Sequence, residues 1–199
     1  MHHVIAETAD VAQNAIVDPS AKIWHLAQVR EHASIGPNCI ISRGAYIGTG
    51  VSIGANSKIQ NHAQVYEPAL VGEGVFIGPG VIFTNDRYPR AVNPDGTIKS
   101  ALDWESVGVH VETGASIGAG AICIAPITIG AWSLVAAGSV VTKDVRAHAL
   151  VVGSPARQIG WVGYTGEKLE AVAGDVNKWK CVTTKDTFQV TETGDLVKD

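Results

Sequence analysis

From Ile5 to Phe83, every sixth residue is apolar. The series runs Ile5, Val11, Val17, Ile23, Val29, Ile35, Ile41, Ile47, Ile53, Ile59, Val65, Val71, Ile77 and Phe83, and all but the last are Ile or Val. Two positions before most of them sits a small residue, such as Ala21, Ala27, Ala33, Cys39, Ala45, Ser57, Ala63 or Ala69. Glycine often follows the aliphatic, as at Gly36, Gly48, Gly54, Gly72 and Gly78. A period of six is neither the stripe of an amphipathic helix nor the plain alternation of a half-buried strand. A repeat of this length must be read before any local propensity.

The physical reading is a parallel β-helix. One hexapeptide makes a short strand and a corner, and three make one triangular coil. The aliphatic points into the prism and stacks on its equivalent one coil later, as Ile35 on Ile53 on Val71. Coils then rise by the inter-strand spacing of about 4.8 Å. β-Branched side chains suit such ladders because they are stiff and fill a pleated surface. The small residue fits the corner, where a larger one collides with the next coil.

The rhythm stops at Phe83. Residues 84–106, TNDRYPRAVNPDGTIKSALDWES, carry prolines, an Asp95–Gly96 turn signal and several charges, and read as a loop thrown out of the helix. A loop of this length in a compact domain is usually functional or disordered; its tight turns and Trp104 favour an ordered one. The repeat returns as Val111, Ile117, Cys123, Ile129, Val135 and Val141. The interval from Phe83 to Val111 falls two short of five hexapeptides. It reads as an insertion over a run of degenerate repeats. Residues 1–162 are therefore expected to form one β-helix domain with the inserted loop 84–106, closed by Pro155–Val162. Residues 163–199 lose the rhythm and read as a short C-terminal capping extension. There Glu167–Ala173 suggests a short helix and Lys180–Val190 a strand or two.

Composition narrows the function. With 17% charged residues, a net charge of −4 and no Lys/Arg run, the chain offers no nucleic-acid patch. No segment approaches the length of a membrane span. The first thirty residues already carry the repeat, so no cleavable leader is expected. Cys39 and Cys123 take core positions in the repeat, and the three cysteines lack zinc-site spacing. A reducing, cytoplasmic setting and no metal are expected.

The stretch Ser116–Pro155 ends in GSVVTKDV (Gly138–Val145), followed by GSPAR (Gly153–Arg157). It resembles the end of the left-handed β-helix, hexapeptide-repeat acyltransferases. Left-handedness is implied by that resemblance alone, since parallel crossovers default to the right-handed form. IQNHAQVYE (Ile59–Glu67) and FIGPGVIFTNDRYPR (Phe76–Arg90) resemble the subfamily that N-acetylates the 3-amino group of nucleotide-linked amino sugars, as do WVGYTGEKL (Trp161–Leu169) and Cys181. Arg146 and His62 depart from it, standing where proline and asparagine are common.

The resemblance implies acetyl transfer from acetyl-CoA, in a homotrimer with sites between subunits. UDP-2-acetamido-3-amino-2,3-dideoxyglucuronate is the first-choice acceptor and a dTDP-3-amino-6-deoxyhexose the second, both serving surface-polysaccharide (lipopolysaccharide) assembly. A non-catalytic β-helix scaffold is the alternative of a different class. Within the enzyme reading, Asn85 holds the amine or merely makes the first turn of the loop. Asp86 accepts a proton or closes an Asx turn. His62 lies under the Pro79–Gly80 corner, near the loop's departure, and takes the amine proton or is simply a surface residue. The departing CoA sulfur is the other proton acceptor the family permits. Arg43 and Arg90 suit a diphosphate or sugar carboxylate, and Tyr66 or Tyr88 a stacked base; Glu67 joins them on the sugar side. Lys143 and Arg157 are expected at CoA phosphates. Backbone N–H groups of Ala119, Ala136 and Ala137 are expected along the pantetheine arm.

Overall fold

The computed structural model describes residues 4–199; the expected helical domain begins at residue 1, and residues 1–3 lie outside the described residues. The architecture is a left-handed parallel β-helix. Two-residue strands alternate with corners, and each strand lies on one of three parallel sheets. Face 1 starts at Val4–Ile5 and climbs through Lys22–Ile23, Ile40–Ile41, Lys58–Ile59 and Phe76–Ile77 to Ala149–Val152. Face 2 starts at Asp10–Val11 and includes Tyr46–Ile47, Gln64–Val65 and Ile82–Phe83. Face 3 starts at Ile16–Val17 and includes Leu70–Val71 and Val109–Val111.

The ladders follow the sequence period. Ile35 pairs with Ile53 and Ile53 with Val71. From Ile23 to Phe83 the inward aliphatics are buried, and so are the corner residues Ala27, Ala33, Cys39 and Ala63. Each such aliphatic contributes roughly 1.5–3 kcal/mol relative to exposure. Ser57 shows why a small polar residue is tolerated at a corner: its hydroxyl donates to Gly72 O (3.0 Å) and accepts from Val75 N (3.1 Å). Cys39 and Cys123 are free and buried, and burial raises both thiols, Cys123 to about 12.

Two expectations need correction. Phe76 pairs with Ser116, Ile77 with Ile117 and Val71 with Val111, so the coil below the loop joins the coil above it directly. No degenerate repeats intervene. The loop is a single insert at one corner, closed by Val107 N donating to Asn85 O (3.0 Å) and by an Asp86–Ser106 bridge. Secondly, Glu167–Ala173 is not a helix. Glu170–Val172 is a strand that pairs antiparallel with Asp175–Lys180 across a turn at Gly174 (φ +84°). Seven residues with good helix propensity cannot offset helix nucleation, and the hairpin gives them partners. Thr187–Val190 and Leu196–Lys198 complete a four-stranded antiparallel sheet.

The top of the prism is covered. The final pairs Ile129–Val145 and Val135–Val151 are two residues closer in sequence than a full coil. Arg157–Trp161 then turns back antiparallel on Ala149–Val152. Phe188 and Leu196 of the terminal sheet are buried, Phe188 packs 5.5 Å from His148, and Arg146 Nη1 donates to Gly194 O (2.8 Å). Among the described residues no helix is long and apolar enough to cross a membrane.

Candidate active site

Two edges of the prism border face 2, and the candidate residues divide between them. The edge between faces 1 and 2 is unbroken. Its corners bond coil to coil: Gly44 N to His25 O (3.1 Å), His62 N to Arg43 O (3.0 Å), Gly80 N to Asn61 O (2.9 Å), Gly120 N to Pro79 O (2.9 Å) and Gly138 N to Ala119 O (2.8 Å). The second corner residue takes a left-handed φ, as at Leu26 (59°), Gly44 (64°), His62 (59°), Gly80 (67°) and Gly120 (67°). The site residues here are therefore spaced by coils, about 4.8 Å apiece. Arg43 sits one coil below His62, Ala119 two above and Ala137 three above. His62 leans its ring over Gly44. A Cβ there would come within 2.5 Å of Nδ1, so glycine serves both the φ and the close approach.

The edge between faces 2 and 3 carries the loop. Pro68 lies beneath it, with the Glu67 carboxylate packed against Gly48, its Oε2 buried and unpartnered. Tyr66 rests 5.1 Å from Tyr46. Burial and then the Glu67 charge push the Tyr46 phenol above its ordinary pKa. Thr84 fixes the departure by accepting from Ala125 N (3.0 Å). Asp86 Oδ1 accepts from Tyr88 N (2.8 Å), so this carboxylate does close an Asx turn. Asp95 and Asp103 hold later turns through Thr97 and Ser100, and these bonds lower both carboxyl pKa values. The loop shelters a cavity of about 390 Å³ where Asp86 and Tyr88 meet Arg87, Trp104 and Pro126. Arg90 turns aside and donates to the carbonyl of Pro89 (3.0 Å).

His62 does lie under the Pro79–Gly80 corner, but the loop leaves from the next corner. Within one chain the width of face 2 separates His62 and Arg43 from Asn85, Asp86, Tyr88, Tyr66 and Glu67. Lys143 and Arg157 come together with Arg146 around a cavity of about 250 Å³ near the top of the prism. Ala136 is a correction: its N–H donates to Val151 O (2.9 Å) in the coil above and is not available to a ligand. Among the described backbone bonds, the N–H groups of Ala119 and Ala137 donate to no neighbouring coil. Among the described residues no group of three His, Cys, Asp or Glu gathers as a metal site.

Sequence reasoning missed the floor of the unbroken edge. Below His62 a groove of about 560 Å³ is lined by Thr8, Trp24, His25, Leu26, Arg43 and Asn61. A signal was present: Trp24 occupies the slot that other coils give to Ala6, Ser42, Gln60 and Gly78.

By its coils and its repeat, the fold is a left-handed β-helix built of hexapeptide repeats. Residues 50–85 match the bacterial transferase hexapeptide (six repeats), and residues 32–62 and 107–143 match the hexapeptide repeat of succinyl-transferase. The chain is 45% identical over 62 residues to the dTDP-3-amino-3,6-dideoxy-alpha-D-galactopyranose 3-N-acetyltransferase of Aneurinibacillus thermoaerophilus, a stretch covering 31% of this chain and 32% of that protein. The matches span about a third or less of the curated relatives. A hexapeptide-repeat-containing acetyltransferase of Vibrio cholerae, solved with acetyl coenzyme A, superposes with a TM-score of 0.56 at 25% identity, over 65% of this chain and 70% of that one. A hexapeptide transferase family protein of Anaplasma phagocytophilum shares the fold, with a TM-score of 0.52 at 21% identity over 78% and 80% of the two chains.

Proposed function

We propose that this chain transfers the acetyl group of acetyl-CoA to the 3-amino group of a nucleotide-linked amino sugar. UDP-2-acetamido-3-amino-2,3-dideoxyglucuronate is the preferred acceptor and a dTDP-3-amino-6-deoxyhexose the second choice. The observation that carries the reading is the order of groups along the unbroken edge. Free backbone donors at Ala119 and Ala137 lie above His62, and a groove with an aromatic face and a guanidinium lies below it. A thioester arm and an amino sugar approaching from opposite ends would meet at the middle coil. The similarity to a 3-amino-sugar acetyltransferase supports the same acceptor class.

In the reaction the amine nitrogen bonds the thioester carbonyl carbon, the C–S bond breaks, and the amine proton leaves. Alignment of the two reactants supplies up to about 7–11 kcal/mol of the barrier. Asn85 holds the amine through its side-chain amide. His62 accepts the proton directly, or it passes to the departing sulfur; a general base adds on the order of 10²–10⁴-fold. Lys143 and Arg157 hold CoA phosphates as charge-assisted donors.

The working unit in this reading is a trimer. His62 and Asn85 stand on opposite borders of face 2, so one chain cannot bring them together. A three-fold assembly that sets the unbroken edge of one subunit against the loop edge of the next does so. Drawing on acetyl-CoA, the reaction belongs with surface-polysaccharide assembly in the cytoplasm. Thiol release from acetyl-CoA against a panel of UDP- and dTDP-3-amino sugars tests the activity, and absence of turnover with every acceptor overturns it. Mixing His62→Ala with Asn85→Ala subunits tests the assembly. Neighbouring defects recreate intact sites, so activity should recover above that of either variant alone. No recovery after verified subunit exchange rejects the shared site.

A further inference from the structure

We propose that the groove below His62 on the unbroken edge is the subsite for the nucleoside diphosphate of the acceptor, with Trp24 stacking on the base and Arg43 holding the diphosphate. The inference rests on the acceptor class proposed above and fixes where its nucleotide lies.

Size is the first argument. About 560 Å³ falls within the range of small-molecule sites, roughly 300–1,000 Å³. Composition is the second. Trp24 and Leu26 are 43% and 51% exposed, and both line the groove. An indole face is a sequence-tolerant platform for a nucleobase. Arg43 pairs with no carboxylate among the described residues. It is an exposed guanidinium without an internal partner, suited to bidentate contact with phosphate. Asn61 stands one coil above Arg43 and His25 one coil below, so the groove offers amide and imidazole groups on either side of the guanidinium. The His25 ring is oriented by Nδ1 against Thr8 Oγ1 (2.9 Å), which fixes the imidazole that faces a ligand.

Order along the edge is the third argument. Trp24, Arg43 and His62 rise in single-coil steps, and a nucleotide sugar is ordered base, diphosphate, hexose. A ligand laid base-down in the groove presents its sugar at His62. Gly44 keeps that path open: it follows Arg43 directly and lets the His62 ring fold over the rim.

The test uses the full chain and free UDP and dTDP as probes, followed by calorimetry and tryptophan fluorescence, with inorganic pyrophosphate as the base-free control. The wild-type chain should bind one of the two nucleotides and bind pyrophosphate more weakly. Trp24→Ala and Arg43→Ala should each raise the nucleotide Kd by about tenfold or more, the loss of one stacked base or one charge-assisted contact. Trp24→Phe should retain most of the affinity, and the acetyl-CoA Kd should stay unchanged throughout. Light scattering on each variant separates the alternative occupant. Loss of self-association in Trp24→Ala with nucleotide affinity intact makes the groove a subunit contact and overturns the proposal. So does failure of the wild-type chain to bind either nucleotide, or an unchanged Kd in both alanine variants. Kinetics distinguish the two readings. Turnover of a 3-amino sugar with unchanged KM in Trp24→Ala and Arg43→Ala removes the subsite and leaves the activity standing, whereas nucleotide binding without turnover of any amino sugar removes the activity.

Discussion

The two edges that border face 2 are made from the same hexapeptides and end up as different objects. On the unbroken edge each corner is bonded to the one below, from Thr8 to Gly138. Position there is a matter of counting, and a side chain's neighbours are set by the repeat. On the other edge the repeat is cut once and filled with residues 85–106, which hold themselves by local turns at Asp86, Asp95 and Asp103 and remain largely exposed. The first edge is therefore a rigid ruler and the second a built-on arm.

The sharpest way to break the comparison is to remove the arm. The loop ends are already joined by the Asn85–Val107 hydrogen bond, and the pairing of Val71 with Val111 does not depend on the loop. Excising residues 87–105 and bridging the gap with two glycines should leave the thermal unfolding of the prism nearly unchanged. Acetyl transfer should fall by at least about 10²-fold, the scale of losing alignment of reactants. A collapse of the unfolding temperature would mean that the arm supports the prism, and the distinction between the two edges would fail.

The converse change belongs on the ruler. Gly44→Ala places a Cβ in the left-handed region and into the His62 ring. It should lower stability by roughly 1–2 kcal/mol, measured by urea unfolding, and reduce turnover by displacing His62. Stability loss with unchanged turnover would mean that the His62 ring position is not used.

How much of this was legible follows from the same contrast. The inward ladder, the buried corner residues and the loop's departure all follow from spacing, because a period of six fixes both inside and outside. The degenerate repeats expected across the loop were an error of arithmetic on a segment that obeys none: an insert at a corner need not be a multiple of six. The side-to-side separation of His62 and Asn85 was missed because sequence proximity along the repeat hides a change of corner. Ala136 departs from expectation because the residue after a strand and the first residue of the turn look alike in sequence, yet the N–H of Ala136 donates to the coil above while those of Ala119 and Ala137 donate to no neighbouring coil. Trp24 is visible as the one aromatic in a slot that other coils fill with Ala6, Ser42, Gln60 and Gly78, but its meaning needs Arg43 one coil above it. The terminal sheet lay beyond the repeat, where propensity alone favoured the wrong element over Glu167–Ala173.

The cap end of the prism extends the comparison with smaller effects. Lys143 and Arg157 come from different segments and are joined only by the final coil. Lys143→Ala or Arg157→Ala should each raise the KM for acetyl-CoA by about tenfold, in keeping with about 1.5–3 kcal/mol for a charged hydrogen bond, and leave the KM for the sugar unchanged. A rise in the sugar KM instead would assign these residues to the acceptor.

The smallest expected effect concerns how the terminal sheet is fastened to the last corner. His148 is buried, shares a hydrogen bond between Nδ1 and Val162 O (3.0 Å), and is enclosed by the rings of Tyr164 (5.0 Å) and Phe188 (5.5 Å). Burial lowers its pKa from 6.5, against a smaller opposing contribution from the Val162 carbonyl. Of the cations on that side, Lys198 lies over Tyr164 (5.8 Å) and is paired with Asp186, and Arg146 donates to Gly194 O. Because the folded pKa lies below the unfolded one, the unfolded chain takes up the proton first. Stability is therefore full above about pH 6.5 and declines as the pH falls below it toward the folded value. His148→Asn keeps a residue tolerant of the left-handed φ of 61° and a donor for Val162. The variant should show a shallower loss of unfolding temperature than the wild type between pH 7 and pH 5. Equal slopes in the two proteins would mean that the imidazole is not what ties this junction to pH, and that the terminal sheet holds through Phe188 and the Arg146–Gly194 contact alone.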